Sequence, residues 1–348
     1  MEEGSETRQT VHDSAAGAVM GALVGDALGL GCHWYYDLGL LKADYGEWVS
    51  DYTTAKPDRR DRFGYIARHR YELGLRAGDV SQTGQVVVLL LESVAEKGAY
   101  DQEDFSYRLD RLLATLDGTP LSGRFTDWAM RDVWKERKAG RPWEDVGSRA
   151  DTAEAAIRSV ILAARYFRNP HLLASKGFNN ILLTHREPYT AAQSLAFCLT
   201  LSFLIQGTPI ARAGEVMASL RDSPLIKERI PSFDCLTQVG NAVQAAKALR
   251  DLQPPSLICS VYGLPCSLCF MLPAAYYLVH RFPDDFDAAV LSALNGGGNN
   301  MARASLTGAL SGAMVGLRGI PDRFLKGLSD GERLLELAEK VASMAGEE

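Results

Sequence analysis

The sequence has no lysine- or arginine-rich run, and its 37 basic residues are outnumbered by 43 acidic ones, for a formal net charge of −6. Binding nucleic acid needs a basic face that releases counterions from phosphates, so no nucleic-acid partner is expected. Alternation of apolar and polar residues rarely persists, which leaves little room for strands. There is no internal period of the solenoid kind and no linker long enough to separate two folding units. No GxxxxGK[ST] occurs, and the loop Gly296 to Gly298 follows a helical pattern rather than a strand, so neither a P-loop nor a Rossmann fingerprint is present. The start, MEEGSETRQT, lacks the basic and apolar regions of a secretory signal, so export is not expected. The most apolar runs, Ala191 to Ile205 and Leu264 to Val279, fall short of the roughly 20 residues that cross a bilayer. Pro265 and Pro273 also interrupt the second, and no membrane partner is expected. Six cysteines without a dense framework suit reduced thiols and a cytoplasmic location. The pair Cys266 and Cys269 has no second pair to complete a zinc site.

What the chain does have is 47% hydrophobic residues, concentrated in Ala/Leu-rich segments with helical spacing. The pattern predicts an all-α fold, one compact multi-helix domain over 13–346 behind a flexible tail over 1–12. Helices are predicted at about 14–30, 84–97, 102–116, 124–138, 151–168, 190–206, 209–221, 233–251, 264–281, 285–294, 300–317 and 329–344. Ser50 to His69, charged and tyrosine-rich, reads as a long ordered loop.

Two helices carry stripes of small residues. Gly17, Gly21, Gly25 and Gly29 recur every fourth position, as do Gly308, Gly312 and Gly316. Each glycine weakens a helix by about 0.5–1 kcal/mol relative to alanine, so four in one stripe require a compensating close contact. We expect the two stripes to pack together. That contact would set the loop GLGCHWYYD beside the start of NGGGNNMARA and build a site from opposite ends of the chain. Exposed N–H groups of the triple-glycine loop and the helix dipole would suit an anion there. The alternative is that Asn299 or Asn300 simply caps the helix and the glycines form its turn.

GALVGDALGLGCHWYYD, RAGDVSQTGQ, LTHREP and LNGGGNNMARASLTGALSGAMVG, in this order, resemble the ADP-ribosylglycohydrolase family and especially its crystallin J1-like branch. The resemblance implies an all-α globule and hydrolysis of an N- or O-glycosidic bond to ADP-ribose with paired magnesium ions. The family's Thr-Asp-Asp loop corresponds to Ser81, Gln82 and Thr83, and its Gly-Gly-Asp-x-Asp-Thr element to Gly297, Gly298, Asn299, Asn300, Met301 and Ala302. In the J1-like version, Gly-Gly-Asp-Asn-x-x-Arg, Asn300 and Arg303 match and Asn299 replaces the Asp. Magnesium binds through carboxylates and retained waters, and neutral amides do not offset its charge. No metal ligand and no cofactor is therefore expected, and the dinuclear magnesium centre is doubtful.

The expected catalytic set is His33 as acid or base, with Asp26 and Asp79 as orienting carboxylates. His33 stands where the family has an acidic residue. Trp34 and Tyr35 would stack on a flat ring. Ser81, Gln82, Thr83, Asn299, Asn300 and Arg303 would contact a small-molecule substrate, ADP-ribose-like in the family. Competing readings make His33 and the aromatics core residues and give Asp79 and Gln82 the role of a capping box. Asp37 and Glu47 rank second, and His185 reads as structural. A second functional class is open, a catalytically inactive ligand-binding or crystallin-like structural protein.

Overall fold

Helix Glu2–Gly31 lies antiparallel to helix Asn300–Val315 along the two glycine stripes, in a computed structural model that describes residues 2–346, with side chains from residue 11 onward. Gly17 faces Gly312, Gly21 faces Gly308, Gly25 faces Ala304 and Gly29 faces Met301, as the spacing predicts. A Cβ added at Gly21 would overlap the carbonyl oxygen of Gly308, and one at Gly308 would overlap that of Gly21. Only bare backbone permits this approach. The Ser305 hydroxyl bridges the seam by donating to the Ala22 carbonyl at 2.8 Å, so its polar group is satisfied where no water reaches. Gly316 lies past the helix end with φ of 72° and packs against Asp13, so it ends the second stripe rather than extending it.

The remaining helices wrap this pair. Pro188–Ile205, Val160–Tyr166, Leu268–Arg281, Phe286–Asn295 and Gly331–Ser343 pack against one or both of its members, and one apolar core results. Among the described residues there are isolated bridges but no strand. The tail expected over 1–12 falls almost wholly on residues whose side chains lie outside the description.

The structure departs from the sequence reading in several places, among them the short helices Leu38–Tyr45, Pro224–Arg229, Ile258–Tyr262 and Asp322–Gly327, which that reading does not contain. The helix expected over 151–168 is two, Glu154–Arg158 and Val160–Tyr166, with Ser159 between them turning its hydroxyl back to the Ala156 carbonyl. The loop expected over 50–69 contains the start of helix Gly64–Glu72, whose hydrophobic pattern is masked by arginines. Helix Pro170–Leu182 has Asn169 as its N-cap and Pro170 at N1, a start signal that went unread. By length and composition alone, helices Val11–Gly31 and Pro188–Ile205 are long and apolar enough to cross a membrane; 94% and 83% of their most apolar windows are buried inside the fold.

Gly21→Ala forces the two backbones apart along the whole seam, and its cost should reach about 2–3 kcal/mol. Urea unfolding checks this: the midpoint should fall with an unchanged slope, and an unaltered midpoint would show that the stripes tolerate side chains.

Candidate active site

The first helix ends at Gly31, and the next residues turn sharply, with Trp34 in the left-handed region at φ of 63°. Such a φ is costly for an aromatic residue and persists only where surroundings enforce it. Here Arg59 enforces it, donating to the His33 carbonyl and the Trp34 carbonyl, each at 2.7 Å, while its guanidinium lies 3.7 Å from the Tyr35 ring centroid. The turn is also tied to the triple-glycine loop. Trp34 N–H donates to the Gly298 carbonyl at 3.0 Å and Gly298 N–H donates to the Tyr35 carbonyl at 2.7 Å. Residues from opposite ends of the chain thereby meet, as the stripe contact implied.

His33 is buried in this junction. Its Nδ1 lies 3.2 Å from an Arg70 nitrogen that can only donate, so Nδ1 is the acceptor and Nε2 carries the proton, donated to Asn299 Oδ1 at 2.9 Å. Burial, then the positive charge of Arg70, holds its pKa well below the ordinary imidazole value. His33 is therefore a neutral imidazole with both nitrogens engaged. The acid or base role expected of it has no free ring nitrogen to act through.

Asp26, fully buried, accepts from the Ser81 N–H at 2.7 Å and the Ser81 hydroxyl at 2.6 Å. Desolvation raises its pKa, against the opposing pull of these bonds and of Arg70 and Arg124. Ser81 in turn caps helix Gln82–Lys97 by accepting from Gly84 N–H, so the capping residue is Ser81 and not Asp79. Asp26 thus fixes the start of that helix and holds Gln82 and Thr83 in place.

A cavity of about 190 Å³ opens in front of these groups. Its lining takes in His33, Trp34, Ser81, Gln82, Thr83 and Asn299, with Met301 and Ala302 from the first turn of the Asn300 helix. Phe125, Asp127, Trp128, Arg131, Thr152, Glu154 and Cys266 line it too. Phe125 has φ of 80° and meets Trp34 edge to face with ring centroids 5.0 Å apart. Helices Gln82–Lys97, Trp128–Lys138 and Asn300–Val315 all begin at this space, and each N-terminus adds partial positive charge there. Arg70 adds a full charge.

Two carboxylates of the lining have opposite tendencies. Asp127 caps helix Trp128–Lys138 by accepting from Met130 N–H at 3.0 Å; desolvation, then the charge of Glu154, pushes its pKa up to about 8. Burial also works against ionisation of Glu154, but His185 at 3.3 Å and the Thr152 hydroxyl outweigh it and hold its pKa below the ordinary value. The surroundings thus push the two carboxyls in opposite directions, Asp127 toward the protonated form and Glu154 toward the ionised one.

Of the residues singled out in the sequence, His33, Trp34, Ser81, Gln82, Thr83 and Asn299 line the cavity, and Asp26 stands directly behind Ser81. Four do not reach it. Asp79 accepts from the Ser329 hydroxyl and the Arg76 N–H and borders a separate surface cleft, so it is not an orienter here. The Tyr35 hydroxyl donates to Asp44 at 2.6 Å, and its ring packs under Arg59 rather than over a ligand. Asn300 donates its amide to the Cys32 and Leu294 carbonyls, and buried Arg303 donates to the carbonyls of Ala293 and Gly297. Both are staples of the junction. The glycine loop is no anion cradle either, because the N–H groups of Gly297, Gly298 and Asn299 donate to Leu294, Tyr35 and Leu264. Sequence reasoning missed Arg70, hidden in the supposed loop, and Asp127 and Glu154. A carboxylate inside the apolar stretch TAEAAIR, with His185 read as structural, was the available signal.

The ADP-ribosylglycohydrolase family profile matches residues 7–348. An uncharacterized protein of Archaeoglobus fulgidus is 26% identical over 326 residues, covering 93% of this chain and 94% of its own. A solved structure described as an ADP-ribosylglycohydrolase-related protein complex superposes with a TM-score of 0.63 at 20% identity, over 97% of this chain and 99% of that one. That likeness is one of fold.

The geometry around His33 predicts that its ring resonances stay unchanged in NMR spectra recorded from about pH 8 down to pH 6, whereas an unperturbed histidine titrates in this range. A titration midpoint near 6.5 would remove the neutral Nε2–H assignment.

Proposed function

The chain belongs to the ADP-ribosylglycohydrolase family, and from that premise we propose that it is a hydrolase acting in the cavity between His33 and Glu154 on a glycosidic or related bond of a polar small molecule, without the family's magnesium pair. The observation that carries this reading is that Gln82 and Arg70, which both line the cavity, each hold a buried polar atom, Gln82 Oε1 and Arg70 Nε, with no hydrogen-bond partner in the protein. Each such orphan costs about 1–3 kcal/mol, which a bound ligand supplying an acceptor and a donor would offset. Strained aromatics at Trp34 and Phe125 on the same cavity support the same reading, since backbone strain clusters at working sites. At about 190 Å³ the cavity is smaller than the ~300 Å³ at the low end of pockets for drug-sized ligands. An ADP-ribose-like substrate would thus seat a sugar inside, near Arg70 and the helix N-termini, and leave the rest at the mouth.

The donor set does not fit two magnesium ions. Both oxygens of Asp26 are spent on Ser81, Asn299 Oδ1 is spent on His33, and the other positions that correspond to the metal loops are hydroxyls and amides. A dication needs carboxylates that these positions do not offer. The match of Asn300 and Arg303 to the J1-like element supports placement in that branch, and their use as staples supports a conserved architecture more than conserved chemistry.

Calorimetric titration of ADP-ribose, with excess magnesium and again with EDTA, should give equal binding in both. Binding lost in EDTA would restore the metal-dependent mechanism. No binding in either, together with no hydrolysis of ADP-ribose conjugates, would favour a catalytically silent protein.

A further inference from the structure

The structure assigns proton transfer in this cavity to Asp127 and Glu154, with Asp127 as the general acid on the leaving group and Glu154 as the general base on the attacking water. This inference rests on the proposed hydrolase reading and supplies the acid–base pair that His33 cannot provide. Asp127 and Glu154 line the same cavity as Gln82 and Arg70, the two residues that each keep a buried polar atom without a partner, and as the strained Trp34 and Phe125.

Each carboxylate is positioned by other groups. Asp127 spends Oδ1 on the Met130 N–H, which locks it at the helix start. Glu154 spends Oε2 on the Thr152 hydroxyl and on His185, and the His185 Nδ1 is itself fixed 2.9 Å from the Thr184 hydroxyl. One oxygen of each carboxylate enters none of these bonds. Thr152 and His185 are positioning residues for Glu154 in this scheme. Paired carboxyls whose surroundings push their ionisation in opposite directions are what divides one site into an acid and a base. Asp127 feels Glu154, Arg131 and Arg158, and Glu154 feels His185, Arg158 and Asp127; Cys266 borders both.

The step balances without a metal or a redox partner. As the bond from the anomeric carbon to its leaving nitrogen or oxygen breaks, the Asp127 proton passes to the leaving atom. Water forms the new C–O bond and gives its proton to Glu154. Exchange with solvent returns the proton from Glu154 and reprotonates Asp127. Protonated Asp127 is required, so turnover falls as pH rises through its raised value; ionised Glu154 is required, so turnover falls again as pH drops through its lowered value. The profile is a bell.

The test uses the full-length protein with ADP-ribosyl-arginine and ADP-ribosyl-serine as probes, ADP-ribose binding as a separate readout, and circular dichroism as the fold control. Asp127→Asn keeps the helix cap and Glu154→Gln keeps the size of the side chain. Each should lower kcat by about 10²–10⁴-fold while ADP-ribose binds within threefold of wild type. Asp127→Asn should also erase the alkaline limb of the wild-type bell. Glu154→Ala should regain turnover with added azide and release a glycosyl azide. The wild-type pH profile keeps the idea testable if a variant unfolds: a profile flat from about pH 6 to 9 would overturn the assignment. Wild-type turnover that survives within threefold in folded Asp127→Asn and Glu154→Gln would overturn this pair alone. Wild-type protein inert toward both conjugates would overturn the hydrolase reading and the pair with it.

Discussion

The backbone-to-backbone contact between helices Glu2–Gly31 and Asn300–Val315 is the constraint on which the rest depends. Side chains on either stripe would push the axes apart, and the turn at His33 would no longer meet the loop at Gly298. That meeting gives His33 its Asn299 partner, gives Asn300 the Cys32 carbonyl, and puts Met301 and Ala302 on the cavity wall. The four helix-weakening glycines of the first stripe are therefore a condition for the site as well as for the core.

Hydrogen bonds occupy the positions where the family resemblance implies bound cations. Asp26 with Ser81 and His33 with Asn299 are closed pairs, each neutralising what the other exposes. A group engaged on both sides is well ordered and poor at exchanging protons, which is why the proposed proton transfer is given to Asp127 and Glu154 among the cavity residues.

Much of the architecture was legible in the sequence because it depends on spacing. The glycine period predicted the stripe contact, and helical periodicity located most of the long helices. The missed helix Gly64–Glu72 carries arginines where a hydrophobic stripe is expected, and Arg70 is buried there with hydrogen-bond partners, the Leu30 carbonyl and His33 Nδ1, that come from a distant segment. The site was legible where it follows the family motifs, at residues 33–34, 81–83 and 299. Spacing does not reveal which way a side chain faces, and so Tyr35, Asn300 and Arg303, singled out beside true cavity residues, turned out to bond inward. Asp127 and Glu154 escaped for the opposite reason. Each sits among ordinary helix-start residues, and only the folding of 127 against 154 gives either one its altered acidity.

Pairing residue 21 with residue 308 also orders events during synthesis. The apolar helix Val11–Gly31 leaves the ribosome long before its partner helix Asn300–Val315 is made. At translation rates of about 5–20 residues per second, the interval is roughly 15–60 s. Through that time a long apolar surface has no cognate partner, and a nascent chain of this design depends on chaperones or transient internal contacts to stay out of aggregates. Its glycine seam can close only after every residue between the two helices has been made.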